Sequence, residues 1–212
     1  MNIEIPYTAG GYFICIKPAG IESEHELTEL LSKQTGKKVL CVHRLDKNVS
    51  GLMVFAFTKD CAAKLTESMT EGLFEKTYAA VVSGKPEADT GIMKDYLFHD
   101  VRRNKTFIAE TLRKGVKEAQ LEYTLEDTSE TAEGVLSLVK IRLHTGRSHQ
   151  IRVQFASRRM PIAGDRTYGS KIKCAHPALV SVGLSFPDPG TGETVLFSIP
   201  LPEEYPWNIY RQ

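Results

Sequence analysis

Nine consecutive residues, His43-Arg44-Leu45-Asp46-Lys47-Asn48-Val49-Ser50-Gly51, carry an order of side chains that reads as chemistry. They lie between two apolar runs, Val39 to Val42 and Leu52 to Phe57, which read as buried strands with polar punctuation between them. A cation and an acid stand two apart, followed by a small hydroxyl residue and a glycine. Ser50-Gly51 lets the backbone turn sharply and pass close to something else. An acid held beside cations keeps its charged form, which suits a nucleophile. The bland alternative is a solvated hairpin loop with an incidental ion pair.

A second group of chemically able residues lies between Gly134 and Gly164. This segment holds one Lys, five Arg and no acid, so it carries +6 while the other 181 residues sum to −5. A net charge of +1 alone would say nothing about nucleic acid, but a stripe of this kind is either a phosphate-binding footprint or a solvated face. Within it, Val135, Val139, Ile141 and Leu143 share one face of a strand, and Lys140, Arg142 and His144 the other. Thr145-Gly146 breaks the strand. The segment Arg147 to Ser157 then has helical spacing, with Ile151 and Phe155 inward and His149 and Arg152 together on another face. A helix start rich in donors and free of acids suits an anionic backbone. Tyr78, in the strand Lys76 to Gly84, is either an aromatic half-packed on a sheet or a platform for a nucleobase.

His43-Arg44-Leu45-Asp46 followed by Ser50-Gly51 strongly resembles the catalytic motif of the RluA-type pseudouridine synthases, which isomerise uridine within RNA. Gly146-Arg147-Ser148-His149-Gln150-Ile151-Arg152 is similar to that family's third motif throughout. Lys17-Pro18-Ala19-Gly20, the Lys76-Thr77-Tyr78 strand and the loop Pro161 to Gly169, with Gly164-Asp165 and Tyr168-Gly169, follow the family's pattern in its order. The resemblance runs from about residue 11 to 202, and no N-terminal region is left for the separate RNA-binding domain that many relatives carry. It implies that Asp46 is the catalytic carboxylate beside the sugar, that Arg152 pairs with it, and that Tyr78 stacks under the uracil. It further implies that Arg44 fills the gap left by a flipped base, that Arg147 and His149 hold phosphate or sugar, and that His43 and Lys76 belong to the RNA-binding set. Asp165 could orient an arginine, although such an Asp more often satisfies its own turn. Three departures from the pattern touch RNA contact more than chemistry: Val49 where threonine is usual, Val182-Gly183 where a histidine precedes the Leu-Ser-Phe run, and Asp188 where the last turn usually has a histidine.

The elements that must position these residues can be outlined. Gly11 to Ile16 reads as a strand, with a turn at Lys17 to Gly20. Ser23 and Glu26 have capping-box spacing and open a helix bearing Leu27, Leu30 and Leu31. Leu52 to Phe57 is apolar enough for a strand covered on both faces. Thr58 or Asp60 caps a helix running to about Glu71, with Gly72 as its C′ residue. Basic loops are expected at Asp100 to Lys105 and Arg113 to Lys117, a strand at Ala119 to Glu126 and an acidic loop at Asp127 to Glu133. A final hairpin joins Leu179 to Phe186 and Thr194 to Ile199. The implied fold is α+β: a mixed, largely antiparallel central sheet with flanking helices and a central RNA-binding cleft, as one domain over residues 1–212.

With 42% hydrophobic and 25% charged residues, the composition is that of an ordinary globular protein. Four cysteines without a CxxC pair suggest reduced thiols in the cytoplasm. No leader or membrane span is visible. Isomerising uridine involves no redox change, and no phosphate loop, dinucleotide fingerprint or clustered His/Cys ligand set is present, so neither cofactor nor metal is expected. The expected partner is ribosomal or transfer RNA, bound by a monomer. A hydrolytic glycosidase would need a second carboxylate as general acid, for which Asp165 is a poor candidate. A non-catalytic RNA-binding module would use the same basic stripe but would have no use for Asp46, whose charge repels phosphate.

Overall fold

The structure, a computed structural model, describes residues 1–210. In chain order its elements are β1 Glu4–Thr8, β2 Tyr12–Lys17, α1 Glu26–Thr35, β3 Leu40–Cys41, β4 Ser50–Ala56, α2 Lys59–Thr70, β5 Glu75–Ser83, β6 Thr90–Asp100, β7 Lys105–Ala109, β8 Val116–Thr131, β9 Gly134–Leu143, α3 Gln150–Ser157, β10 Leu179–Pro187 and β11 Thr194–Ser198. The fold is α+β, with a mixed sheet and three helices among the described residues. The chain divides into two compact units, Met1–Thr77 with Val180–Pro200, and Tyr78–Leu179 with the residues from Leu201 onward.

In the first unit the strand order is β1-β2-β4-β10, with β11 beyond β10 and β3 beside β4. One edge of β4 is fully paired with β2, antiparallel from Tyr12↔Ala56 to Lys17↔Gly51. Its other edge is shared. β3 pairs there antiparallel at Ala56 and Phe55, and β10 pairs parallel at Ser50 and Gly51. The chain must therefore leave the sheet after Cys41 and re-enter it at Ser50, so residues 42–49 bulge from the sheet as a loop. The continuous apolarity of β4 has the expected cause: Leu52, Met53, Val54, Phe55 and Ala56 are all buried, so both faces are covered. On one face Leu52, Val54 and Ala56 pack with Cys61 and Leu65 of α2 and with Phe186 of β10.

Of the two expected helix caps, that of α2 forms and that of α1 does not. Thr58 caps α2 by accepting from the Cys61 backbone N–H at 3.2 Å, and Gly72 follows it at φ 76°. The expected capping box of α1 does not form. Glu22 instead accepts from the backbone N–H groups of Glu24 and His25, because the Ser23 hydroxyl is bonded to the loop at Leu45.

In the second unit β9, β8 and β6 are successive antiparallel neighbours, and β7 closes a hairpin with β6 at one edge. The expected basic loop at 100–105 is the turn of that hairpin, whose strands have mixed polarity and give little periodic signal. Most of the expected acidic loop at 127–133 is strand: β8 runs on to Thr131, past a bulge between Leu125 and Asp127, because β9 supplies ladder partners down to Gly134. The two-faced reading of β9 holds from Val139 to Leu143. It fails before that, where Leu136 and Leu138 are buried and Val135 is 37% exposed. Helix α3 starts at Gln150 rather than Arg147, since His149 has φ 54° and cannot continue a right-handed turn.

Gly51 is a strict requirement of this architecture. It has φ 116°, and a Cβ there would lie 2.3 Å from the Ser181 backbone oxygen and 2.5 Å from its nitrogen. Backbone atoms inside a ladder cannot yield as a side-chain tip can. At Gly72 a Cβ would meet nothing within 4 Å. Gly72→Ala should therefore lose only the left-handed penalty, about 1–2 kcal/mol. Gly51→Ala should lose more than about 4 kcal/mol or fail to fold, as a clash within a buried ladder exceeds ordinary mutational losses. Chemical denaturation of the two variants measures both, and similar losses would refute the close approach of β10.

Candidate active site

Asp46 sits on the loop between β3 and β4, and the loop is held from inside by a buried cation. Lys17, the last residue of β2, is fully buried, and its Nζ donates to the carbonyl oxygens of Pro18 at 3.0 Å, Lys47 at 3.0 Å and Val49 at 2.8 Å. Two of these acceptors, Lys47 and Val49, follow Asp46 in the loop. Three acceptors use all three ammonium donors. Burial pushes the Lys17 amine down to about 8, and the Asp46 carboxylate offsets part of that by favouring the charged form. Around this clamp the loop makes its own bonds. Val49 N–H donates to the Asp46 carbonyl, Gly20 N–H donates to the Lys47 carbonyl, and the Ser23 hydroxyl both donates to the Leu45 carbonyl and accepts from the Leu45 N–H.

The neighbours of Asp46 take different places. Arg44 is exposed and paired with Glu24 at 2.7 Å, a surface pair easily exchanged for another anion. His43, expected among the RNA contacts, is buried. Its Nε2 accepts from the Val54 N–H at 3.0 Å, and its ring packs on Phe74. Burial holds its pKa well below the usual imidazole value, so the ring is neutral and carries its proton on Nδ1. In this structure it braces the base of the loop. Lys76, near the start of β5, lies over the Phe74 ring at 5.5 Å, and desolvation pushes its amine down to about 8. Tyr78 follows on the same strand and is buried.

In the second unit the centre is Arg152 of α3. It is 4% exposed, and its Nε and Nη2 donate to the two carboxylate oxygens of Asp165 at 2.7 and 2.9 Å. Asp165 is 1% exposed. The Asp165 carboxylate thus orients an arginine, while its main-chain oxygen closes the turn by accepting from Tyr168 and Ser170. With both oxygens engaged as acceptors it is badly arranged to donate a proton, which removes the glycosidase reading. Gly164 is needed beside it, because a Cβ there would lie 2.5 Å from the His176 carbonyl oxygen.

Sequence reasoning missed Tyr168 as a junction. Its hydroxyl accepts from the Thr106 N–H at 2.9 Å, donates to the Thr106 carbonyl at 3.1 Å and meets His149 Nδ1 at 3.0 Å. Those bonds use the hydroxyl proton on Thr106, so His149 Nδ1 is the donor. Arg152 lies 5.1 Å and Lys105 5.3 Å from the Tyr168 ring. The Thr106 hydroxyl donates to the Ser148 carbonyl and takes His99 Nδ1, so the β6–β7 hairpin is tied directly to the start of α3. Arg147 is exposed, with its Nε on the Glu118 carbonyl. The signal for Tyr168 was present in Gly164-Asp165 to Tyr168-Gly169, but its partner Thr106 lies 62 residues away in the chain. Among the described residues, no group of three or more His, Cys, Asp or Glu is placed to hold a metal ion.

The family model described as RNA pseudouridylate synthase matches residues 11–157. An uncharacterized RNA pseudouridine synthase of Aquifex aeolicus is 37% identical over 175 residues, covering 77% of this chain and 54% of that protein. The chain thus spans about half the length of that relative. The tRNA pseudouridine synthase C of Haemophilus influenzae is 29% identical over 231 residues, covering 96% of this chain and 95% of the relative. Among solved structures, human RNA pseudouridylate synthase domain containing 1 superposes with a TM-score of 0.82 at 21% identity, over 94% of this chain and 83% of the other, and so shares its fold.

Two outcomes test the geometry. Lys17 has a folded pKa of about 8 against 10.5 when solvated. Between those values the unfolded chain binds more protons, so this group's contribution to stability rises with pH. Lys17→Met should lose about 2–4 kcal/mol at neutral pH, because three carbonyls lose a charged donor. The wild-type advantage should then widen from pH 8 to 10.5, by up to about 3 kcal/mol. Urea titrations across that window measure it, and a constant or shrinking advantage would refute the buried ammonium. At the second centre, Arg152→Ala strands the buried Asp165 and should lose about 3–5 kcal/mol. Arg152→Lys should lose less, about 1–3 kcal/mol, since Lys lacks the planar fork. Adding Asp165→Ala to Arg152→Ala should restore part of the loss, and strictly additive losses would mean that the pair is not coupled.

Proposed function

Because this chain belongs to the RNA pseudouridylate synthase family, we propose that it isomerises uridine in ribosomal or transfer RNA to pseudouridine. The observation that carries the reading is the Asp46 loop itself: a carboxylate on a segment clamped through its backbone by Lys17 and Ser23, with the arginine beside it paired only at the surface. A solvated hairpin loop has no need of a desolvated ammonium beneath it.

The reaction breaks the bond from ribose C1′ to N1, turns the base and joins C1′ to C5. C5 gives up its proton and N1 gains one, so atoms and electrons balance within the nucleotide and solvent. The target nucleotide must first leave its stack before a side chain can reach C1′. Asp46 then acts at the sugar and Tyr78 stacks under the uracil. Arg152 supplies the guanidinium that the family pattern pairs with Asp46, held in its plane by Asp165. Arg44 exchanges Glu24 for the space vacated by the flipped base, and Lys76, Arg147 and His149 hold phosphate or sugar. His43 serves by bracing the loop. The proposal extends to a cytoplasmic monomer that needs no cofactor or metal. Among the described residues, no helix is long and apolar enough to cross a membrane.

Asp46→Asn keeps the shape of the side chain and removes its charge. Pseudouridine formation should disappear while RNA affinity persists, read by a site-resolved pseudouridine map of total RNA from cells lacking the protein and complemented with each form. Modification restored by the Asn variant would sink the catalytic assignment, and a map identical with and without the wild-type protein would leave a binding module. Arg152→Lys should reduce turnover far more than its loss of stability explains. Near-normal turnover by this variant would shift the role of partner to Arg147.

A further inference from the structure

Arg159 follows α3 with φ 61°, one of three described non-glycine residues with positive φ. A side chain in the left-handed region strains the backbone, and glycine would relieve it. Yet the Arg159 side chain is exposed and has no hydrogen-bond or ion-pair partner among the described residues. The left-handed turn itself closes α3, with the Arg159 N–H on the Ala156 carbonyl and the Met160 N–H on the Phe155 carbonyl. What the helix stop does not explain is the side chain: glycine is the usual residue at such a position, and this one carries an exposed guanidinium.

Arg159 lines a groove of about 480 Å³ together with Lys85, Arg158, Met160 and Tyr123. None of these residues is in the site assigned above. Arg158 is preset by Asp95, with its Nη1 at 2.9 Å and Nη2 at 3.3 Å from the two oxygens, and by the Gln154 carbonyl at 3.0 Å. Tyr123 is fixed edge-on to Phe155 and lies so close to Gly91 that a Cβ there would meet its ring at 2.6 Å. Lys85 is exposed, without a salt-bridge partner among the described residues. One lining carboxylate, Glu87, opposes the three cations, and Asp95 neutralises Arg158 in part. The uncompensated positive charge therefore lies at Lys85 and Arg159, in a lining that also holds Tyr123, Met93 and Met160. A volume of this order holds a nucleotide.

We propose that this groove is a second RNA contact, taking one nucleotide away from the isomerised uridine. Arg159 and Lys85 hold its phosphate, and Tyr123 and Met160 contact its sugar and base. This rests on the reading of RNA as the substrate. It assigns the Arg159 side chain, at a helix-end position that glycine would fill more easily, to a recognition function, because glycine has no guanidinium to pair with phosphate.

The test uses the whole 212-residue chain with Arg159→Gly and Arg159→Lys. Affinity for a short fluorescent oligouridine is measured by anisotropy across a salt series, beside thermal melting. Arg159→Gly should melt at the wild-type temperature or above it, yet bind about five-fold more weakly. Its slope of log affinity against log salt should be flatter by about 0.7, the value for one phosphate on a single strand. Arg159→Lys should keep both affinity and slope. Wild-type binding by a folded Arg159→Gly, equal weakening by both variants, or weaker binding together with a lower melting temperature would each overturn the proposal. Displacement of the oligomer by uridine monophosphate at equal nucleotide concentration would also overturn it, because the groove would then take free nucleotides. Failure of the catalytic reading is separate. A wild-type protein that leaves the pseudouridine map unchanged while binding oligouridine through Arg159 loses the enzyme and keeps the groove. One that modifies RNA with no dependence of binding on Arg159 loses the groove alone.

Discussion

The buried ammonium of Lys17 is the constraint on which the first unit depends. Ordering residues 42–49 costs about 8–16 kcal/mol of backbone entropy, at 1–2 kcal/mol per residue. Three charge-assisted bonds from Lys17, net of the cost of burying its charge, offset part of it. The remainder comes from the other anchors of the loop: the two Ser23 bonds to Leu45, the burial of Leu45 and Val49, and the His43 ring bonded to the Val54 N–H. An apolar side chain at position 17 would be easier to bury, but it would leave three carbonyls turned inward without donors. The desolvation penalty, visible as the lowered pKa of Lys17, is thus accepted where the loop backbone needs a multiple donor. The Asp46 carboxylate reduces that penalty by favouring the charged form of Lys17.

The second unit solves its positioning problem with neutral groups around one ion pair. Arg152 and Asp165 are both buried, and a bidentate fork is the arrangement in which such a pair comes nearest to recovering its desolvation. Tyr168 then joins the pair to the β6–β7 hairpin by bonding both backbone groups of Thr106, as a strand neighbour would. The left-handed turn at His149 is what makes this possible. A helix beginning at Arg147 would have carried His149 on the regular helix surface, whereas the turn sets its Nδ1 against Tyr168. Strain at position 149 is maintained by that bond and by the Val153 N–H on its carbonyl.

How far the sequence disclosed this can be judged from particular residues. Strands β2, β4 and β5 and helix α2 were legible because apolar periodicity and a threonine cap are local signals that packing did not override. Strands β6 and β7 were not, since a hairpin with exposed Phe98, Phe107 and Ile108 has neither a clean alternation nor a turn dipeptide. The far half of β8 was hidden by its acids: an acidic strand pairs when a neighbour supplies the ladder, and composition does not reveal the neighbour. At the site, the contiguous motifs single out Asp46 and Arg152 from the sequence alone. The residues that hold them were found incompletely, because a clamp such as Lys17 looks like ordinary turn chemistry until its three acceptors are seen. Ser23 was placed as a helix cap for the same reason. Its real partner, Leu45, is 22 residues away.

The departures from the family pattern also have a physical reading. Val49 is buried and contributes its carbonyl to Lys17, so a threonine hydroxyl would add nothing to the clamp. Asp188 accepts from the Tyr12 hydroxyl at 2.7 Å and from the backbone N–H groups of Gly190 and Thr191. The Tyr12 bond holds its carboxyl below the ordinary range, so the turn between β10 and β11 presents a fixed negative charge. Phosphate is repelled there, where a histidine could have met it. A chain that closes its last turn with an acid gains a rigid hairpin there, because one carboxylate satisfies two turn N–H groups and the Tyr12 hydroxyl together.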